Sequence, residues 1–194
     1  MNNLYYLKFL GVFAFAFMLA GPVTPAVHTG SGMRFSAVKP IADDKKIADF
    51  DFVDFDGKKR KFSEFKGKVV LIDFWATWCG PCLADIPKLK KLYDAYKGQG
   101  FEILGMNSET IGDDDPAEPE FAKESAARAR QIVKARGVSW PQANAATALP
   151  VAVKVFGVTA LPTKVIVDGD GNILARIAEK GDTEKIVAEI MAKR

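Results

Sequence analysis

Cysteine and histidine are scarce in this sequence, and their scarcity excludes several kinds of site. The 194 residues include two cysteines and one histidine, His28. A structural zinc site takes four such ligands, and a disulfide framework takes several cysteine pairs. The acidic stretch Asp113–Asp115 lacks the glycine and the bidentate glutamate of a calcium-binding loop. We therefore expect no metal.

The sequence also lacks any concentration of positive charge. Its 27 lysine and arginine residues oppose 24 acidic residues, which gives a net charge of +3, and they are spread along the chain. Proteins that bind nucleic acid carry a basic face or stripe, so we expect no nucleic-acid partner. Apolar residues make up 48% of the chain, which is ordinary for a globular protein. We expect a monomer with one folded domain.

The first 26 residues have the pattern of an export segment. Lys8 precedes an uncharged apolar run from Phe9 to Ala20, and small residues follow at Thr24–Ala26. This pattern is typical of a secretory signal peptide, and the run is shorter than the roughly 20 residues that span a bilayer. An uncleaved anchor stays open as an alternative, because Lys8 can extend its side chain to the membrane interface.

These features predict three segments. Residues 1–26 are a signal peptide or N-terminal membrane anchor, residues 27–46 a linker, and residues 47–194 the folded domain. The predicted compartment is periplasmic or extracytoplasmic, with the protein either soluble after cleavage or tethered to the inner membrane.

Hydrophobic periodicity predicts alternating strands and helices in the folded domain. The run 69–75 is apolar enough for a buried strand, and the positions after Cys82 repeat at helical spacing until Gly98. We predict the further elements in chain order. A hairpin has its first strand at 50–55, and a strand at 101–106 runs parallel to the strand at 69–75. A helix at 116–136, a hairpin of strands 165–167 and 173–177, and a last helix capped by Asp182 follow.

The two cysteines lie where the strand meets the helix, as Cys79-Gly80-Pro81-Cys82. The first thiol of such a pair sits at a helix N-terminus, where unpaired N–H groups and the helix dipole stabilise a thiolate. As a structural crosslink, so short a loop contributes only about 2 kcal/mol. Haem attachment would require a histidine at Leu83. We therefore interpret the pair as a redox site, with Cys79 exposed and attacking and Cys82 shielded and resolving. We expect no cofactor beyond this redox-active disulfide.

Two segments resemble thioredoxins. Asp73–Cys82 reads D-F-W-A-T-W-C-G-P-C and resembles their active-site segment, while Ala160-Leu161-Pro162-Thr163 resembles their cis-proline loop. The export segment and the inserted helical stretch are similar to those of the TlpA/ResA-like branch of exported oxidoreductases. The resemblance implies an α/β fold, a thioredoxin-like three-layer α/β/α sandwich with an N-terminal β-hairpin and an inserted helix.

Two carboxylates are candidates for the proton chemistry. Asp73 interrupts an apolar strand, and a buried carboxylate needs partners or a raised pKa. The resemblance places it under the disulfide, where it assists proton transfer to Cys82; the alternative is a side chain that reaches solvent at the sheet end. Asp85 follows Cys82 by three residues, on the same helix face. ResA-like proteins use a longer Glu there in thiol chemistry, and the alternative for Asp85 is a simple interaction with the helix dipole.

The resemblance also implies a substrate-binding surface. The Leu161–Pro162 peptide bond would be cis and face the disulfide, with the backbone of Leu161 pairing with an extended substrate segment. Trp78 and Leu161 would form an apolar rim around Gly80 and Pro81. The alternative for Trp75 and Trp78 is that they only pack against neighbouring residues.

Three functions are compatible with the pair. A thiol–disulfide oxidoreductase would act mainly as a reductase of protein disulfides, and by resemblance would take electrons from a membrane thiol donor of the DsbD or CcdA type. Its substrates by resemblance are apocytochrome c, the copper-site cysteines of a respiratory oxidase, or general exported thiols. A peroxiredoxin-like thiol peroxidase requires a threonine three residues before its cysteine. Thr77 lies two residues before Cys79, so the sequence does not match that motif. A copper-handling thiol protein would use both sulfurs, but no Met or His cluster accompanies them.

Overall fold

The structure, a computed structural model, describes residues 46–112 and 119–194. The predicted signal segment, all of the predicted linker except Lys46, and the acidic stretch Asp113–Asp115 lie outside these ranges. Within the two ranges, no helix combines the length and apolar character needed to cross a membrane.

A five-stranded sheet forms the centre of the fold. Its strands are β3 (Val69–Trp75), β4 (Phe101–Asn107), β5 (Gln142–Ala143), β6 (Thr163–Asp168) and β7 (Ile173–Ala178), in the order β5-β4-β3-β6-β7. Strand β4 runs parallel to β3, and β6 runs antiparallel to it. A separate antiparallel hairpin of β1 (Asp51–Val53) and β2 (Lys59–Lys61) precedes the sheet. The predicted N-terminal hairpin is confirmed, with a first strand shorter than predicted.

In the described residues, four α-helices accompany the sheet: α1 (Gly80–Tyr96), α2 (Pro119–Ala135), α3 (Ala145–Lys154) and α4 (Thr183–Ala192). Two of the core clusters show how helices pack on the sheet. One joins the hairpin, α3 and the strand positions Val70, Ile72 and Phe74; the other joins α1 and α4 to Val69 and Leu71. Because side chains alternate along a strand, Asp73 lies on the face that α1 covers. The predicted α/β sandwich, with α2 as its inserted helix, is confirmed.

The central strand and the active-site helix follow from local sequence. All seven residues of β3 are buried, as expected for an apolar strand between two neighbours. Cys79 is the N-cap of α1, and Pro81 occupies the first turn, where its missing N–H costs nothing. The N-cap Asp182 predicted for α4 is confirmed, since its carboxylate accepts a hydrogen bond from the Lys185 N–H at 3.0 Å.

Helix α3 and the short edge strand β5 were not predicted. Asn144 caps α3 by accepting a hydrogen bond from the Thr147 N–H at 3.2 Å. The cap signal is therefore present in the sequence, but Pro150 lies inside the helix, where proline argues against helix. Tertiary packing compensates, because Ala148, Val151 and Ala152 are buried in the core.

Candidate active site

The site begins with a disulfide between Cys79 and Cys82, at the point where the chain leaves β3 and enters α1. The Cys82 N–H donates to Cys79 Sγ at 3.2 Å, and Leu83 N–H donates to the Cys79 carbonyl at 3.1 Å. Sγ of Cys79 is therefore the side-chain cap of α1. A cap position stabilises negative charge, so this geometry favours the thiolate of Cys79 once the disulfide is reduced.

Both cysteines are buried in the oxidised protein, at 4% exposure for Cys79 and 2% for Cys82. The expected exposure of Cys79 is therefore wrong for this state. The physical reason is the inserted helix α2, whose Ala129 is fully buried in the same cluster as the two cysteines. Partly buried side chains complete the cover: Phe55, Leu83, Ile132, Val133 and Leu161.

The predicted substrate surface surrounds this pair. The Leu161–Pro162 peptide bond is cis, as the resemblance implied, and Leu161 packs against the cysteine cluster. Trp78 is 56% exposed, and Gly80 and Pro81 are exposed beside it. The structure thus brings these five residues and the disulfide to one region, while their roles in substrate binding stay predictions. Trp75, in contrast, is buried, and its Nε1–H donates to Gln142 Oε1 at 2.9 Å.

Glu109 holds the loop that carries Trp78, and sequence reasoning missed it. This buried glutamate accepts hydrogen bonds from the backbone N–H and the hydroxyl of Thr77, both at 2.9 Å. Its other partner is the Asn107 side-chain amide at 2.7 Å, and its backbone carbonyl accepts from the Trp78 indole at 2.7 Å. A signal was present in the sequence, because the polar run Asn107-Ser108-Glu109 begins at the end of an apolar strand.

Asp73 is buried near Cys82. It and Cys82 line one cavity of about 10 Å³, which is about the space of one water. Its Oδ1 has no hydrogen-bond partner among the residues that the structure describes. Burial raises the pKa of Asp73 to about 6, the charge of Lys164 opposes that rise, and the charge of Asp85 adds to it. The alternative in which Asp73 reaches solvent is therefore excluded.

Lys164 connects the two candidate carboxylates, and it too was missed. It lies opposite Asp73 in the β3–β6 register, and its side chain is only 3% exposed. Its Nζ lies 2.8 Å from Asp85 Oδ2 and 4.0 Å from Asp73 Oδ1. Partial burial raises the pKa of Asp85, but the hydrogen bonds and charges of Lys164 and, to a smaller extent, Lys88 outweigh this, and the pKa stays below its ordinary value. The signal was a lysine inside an apolar strand, two residues after Pro162.

The arrangement suits thiol–disulfide exchange. It supplies a sulfur at a helix N-terminus, a second buried sulfur, and a carboxylate whose pKa of about 6 lets it exchange protons near neutral pH. In the part of the chain that is described, no group of three or more His, Cys, Asp or Glu residues could hold a metal ion.

Comparisons with known proteins agree with this chemistry. The Redoxin family model matches residues 42–191. The chain is 31% identical to the thiol-disulfide oxidoreductase ResA of Bacillus thuringiensis subsp. konkukian, over 91% of this chain and 90% of that protein. It is 29% identical to ResA of Bacillus cereus, over the same shares. A solved thiol-disulfide oxidoreductase from Bacteroides fragilis superposes with a TM-score of 0.59 at 25% identity, over 77% of this chain and 100% of that chain. The chain therefore belongs to the Redoxin family and is a protein thiol–disulfide oxidoreductase, a ResA-like member of the thioredoxin superfamily.

Proposed function

We propose that the protein is an exported reductase that opens disulfide bonds in other proteins by a Cys79/Cys82 dithiol–disulfide cycle. The observation that carries this proposal is the position of Cys79 Sγ as the N-terminal cap of α1. A thiolate at this position is stabilised, and the thiolate is the attacking form of cysteine.

The cycle transfers two electrons to the substrate. The thiolate of Cys79 attacks one sulfur of the substrate disulfide, which forms a mixed disulfide and releases the other substrate sulfur as a thiolate. Cys82 then loses its proton and attacks Cys79 Sγ. This step forms the Cys79–Cys82 disulfide and releases the second substrate sulfur. The released thiolates take up protons, and the enzyme is left oxidised.

Asp73 accepts the proton of Cys82 in this proposal. The two residues line the same cavity, and the pKa of Asp73 is raised to about 6 by burial. A base with a pKa near the working pH is ionised often enough to accept a proton and basic enough to hold it. Asp85 accepts a hydrogen bond from Lys164 at 2.8 Å. This contact supports an indirect role for Asp85 in the proton chemistry, through its effect on Lys164.

The substrate docks on the rim formed by Trp78, Gly80, Pro81, Leu161 and Pro162. An extended segment pairs with the backbone next to the cis peptide bond, and the exposed indole of Trp78 contacts the residues beside the substrate cysteine. Because Glu109 anchors Thr77 and Trp78, this surface is organised before the substrate arrives. Preorganised surfaces lose less entropy on binding.

The protein works outside the cytoplasm in this proposal. The export pattern of residues 1–26 supports it, and so does a chain with one cysteine pair placed for catalysis. A membrane thiol transporter of the DsbD or CcdA type would return electrons to the oxidised pair. Fusing alkaline phosphatase after residue 45 tests the compartment: an active phosphatase supports export, and an inactive one contradicts it.

An insulin-reduction assay tests the catalytic proposal. With dithiothreitol as electron donor, the protein should accelerate insulin precipitation, and Cys79→Ser should abolish the effect. The matched variant Ser125→Ala, on α2 outside the cysteine cluster, should retain it. Hydrogen peroxide consumption without insulin reduction would indicate a peroxidase, and tight stoichiometric Cu(I) binding without it would indicate a copper-handling protein.

A further inference from the structure

A buried lysine between two carboxylates connects the disulfide region to the surface. Lys164 extends from β6, Asp73 from β3 and Asp85 from α1. A fully buried ammonium is costly without a counter-charge, and Asp85 supplies it with a 2.8 Å hydrogen bond. Asp73 Oδ1, at 4.0 Å from Nζ, lies beyond hydrogen-bond distance.

We propose that Asp73 and Asp85 compete for the ammonium group of Lys164, and that this competition sets the pH range in which Asp73 accepts the proton of Cys82. The inference rests on the proposed function, because it takes Asp73 as the proton acceptor. Asp85 acts here as a positioning residue: it holds the ammonium at its own oxygen and so withholds a full ion pair from Asp73.

Lys164 and Asp85 are the charged groups that act on the protonation of Asp73. The other residues around it carry no charge in the oxidised protein: Gly105 opposite it on β4, and Trp75, Cys82, Ile86, Val133, Val138, Trp140 and Gln142 in the cavity lining. In the reduced protein, Cys82 is the one titratable group among these residues. The opposite charge of Lys164 favours the ionised form of Asp73, and the like charge of Asp85 disfavours it. With Asp73 protonated, Lys164 and Asp85 form a neutral pair. With Asp73 ionised, the three groups carry one net negative charge in a buried site, which burial makes costly.

Asp85 also connects the three residues Asp73, Lys164 and Asp85 to solvent. Its side chain is 24% exposed and borders a polar cleft of about 240 Å³ between α1 and the start of α4. The charged groups facing the cleft are Lys88, Lys164, Glu179, Asp182 and Glu184. Lys88 Nζ also contacts Asp85, at 3.3 Å, but its side chain is 62% exposed. Solvent screens such an exposed charge, so Lys88 serves as the matched control for Lys164.

The test is a titration of Asp73 by the ¹³Cγ chemical shift in the oxidised, full-length protein. The disulfide cysteines do not titrate in this state, so Asp73 is observed without coupling to a thiol. Asp85→Asn removes a like charge and leaves Lys164 free to pair with Asp73. The titration midpoint of Asp73 should therefore fall by about one pH unit or more. Lys164→Met removes the attractive charge, so the midpoint should rise by about one pH unit or more. Lys88→Met and Asp85→Glu should leave it close to the wild-type value.

Opposite shifts in the two variants would support the competition, and a purely structural role would not produce them. Shifts in the same direction, or no shift in either, would overturn it. If Lys164→Met does not fold, Lys164→Gln takes its place with the same expectation. A separate measurement of mixed-disulfide resolution in Asp73→Asn tests the proposed function: normal resolution there would remove Asp73 as the acceptor, whatever the titrations show.

Discussion

Replacing Asp73 with Asn should stabilise the folded protein at neutral pH. The pKa of Asp73 rises from 3.8 to about 6 on burial. The folded protein therefore binds this proton more tightly than the unfolded chain does. Stability from this group is fully present below about pH 4 and is lost as the pH rises through about 6. An asparagine carries no charge to desolvate, so the variant should not suffer this loss.

The size of the effect follows from the change in pKa. A change of about 2 pH units, at about 1.4 kcal/mol for each, corresponds to about 3 kcal/mol. This is an upper value for Asp73→Asn, because the amide introduces a buried N–H group of its own that needs a partner. The free energy of unfolding at pH 7.5 should rise by about 1 to 3 kcal/mol over the wild type.

Urea unfolding of both oxidised proteins between pH 4 and pH 8 measures this difference. Carboxylates outside this group whose pKa values are lowered, such as Asp168, reduce the stability of both proteins at acid pH, and their contributions cancel in the comparison. The two proteins should be nearly equal at pH 4 and should diverge as the pH rises. A variant that is less stable at pH 7.5, or a difference that does not depend on pH, would refute the reasoning.

Three further predictions concern the thiols and their support. Glu109→Gln replaces an acceptor of charge-assisted hydrogen bonds with an amide, so the free energy of unfolding should fall by about 2 kcal/mol and Trp78 fluorescence should change, with the exposed Glu184→Gln as control. In the reduced protein, iodoacetamide at pH 6 to 7 should modify Cys79 before Cys82, and equal labelling would contradict the attacking and resolving roles. Asp73→Asn should leave attack by Cys79 nearly intact but slow resolution, so that mixed disulfides accumulate at neutral pH in a quenched-flow experiment.

Strand β3 and the cysteine pair could be predicted because local sequence determines them. A run of seven residues between turn signals, six of them apolar and rich in Val, Ile, Phe and Trp, favours a buried strand. The residues from Cys79 onward then combine a cap position, a proline in the first turn and helical periodicity. Resemblance to thioredoxins added the cis peptide bond before Pro162, which spacing alone could not predict.

The groups that support the site could not be predicted, because each depends on pairing between distant segments. Lys164 meets Asp73 through the register of β6 against β3, and it meets Asp85 through the packing of α1 on the sheet. Glu109 reaches Thr77 across the ends of two parallel strands. The burial of Cys79 depends on the docking of α2. Sequence marked these residues only as polar groups in or beside apolar strands.

The most direct test of the central claim is to trap the mixed disulfide. Cys82→Ser removes the resolving sulfur, so incubation of the reduced variant with insulin should leave an insulin chain bound to Cys79. Mass spectrometry after alkylation should locate this adduct on the peptide that contains Cys79, and dithiothreitol should release it. Cys79→Ser should form little or no adduct under the same conditions. Equal trapping on Cys82 in Cys79→Ser, or no adduct in either variant, would contradict the account.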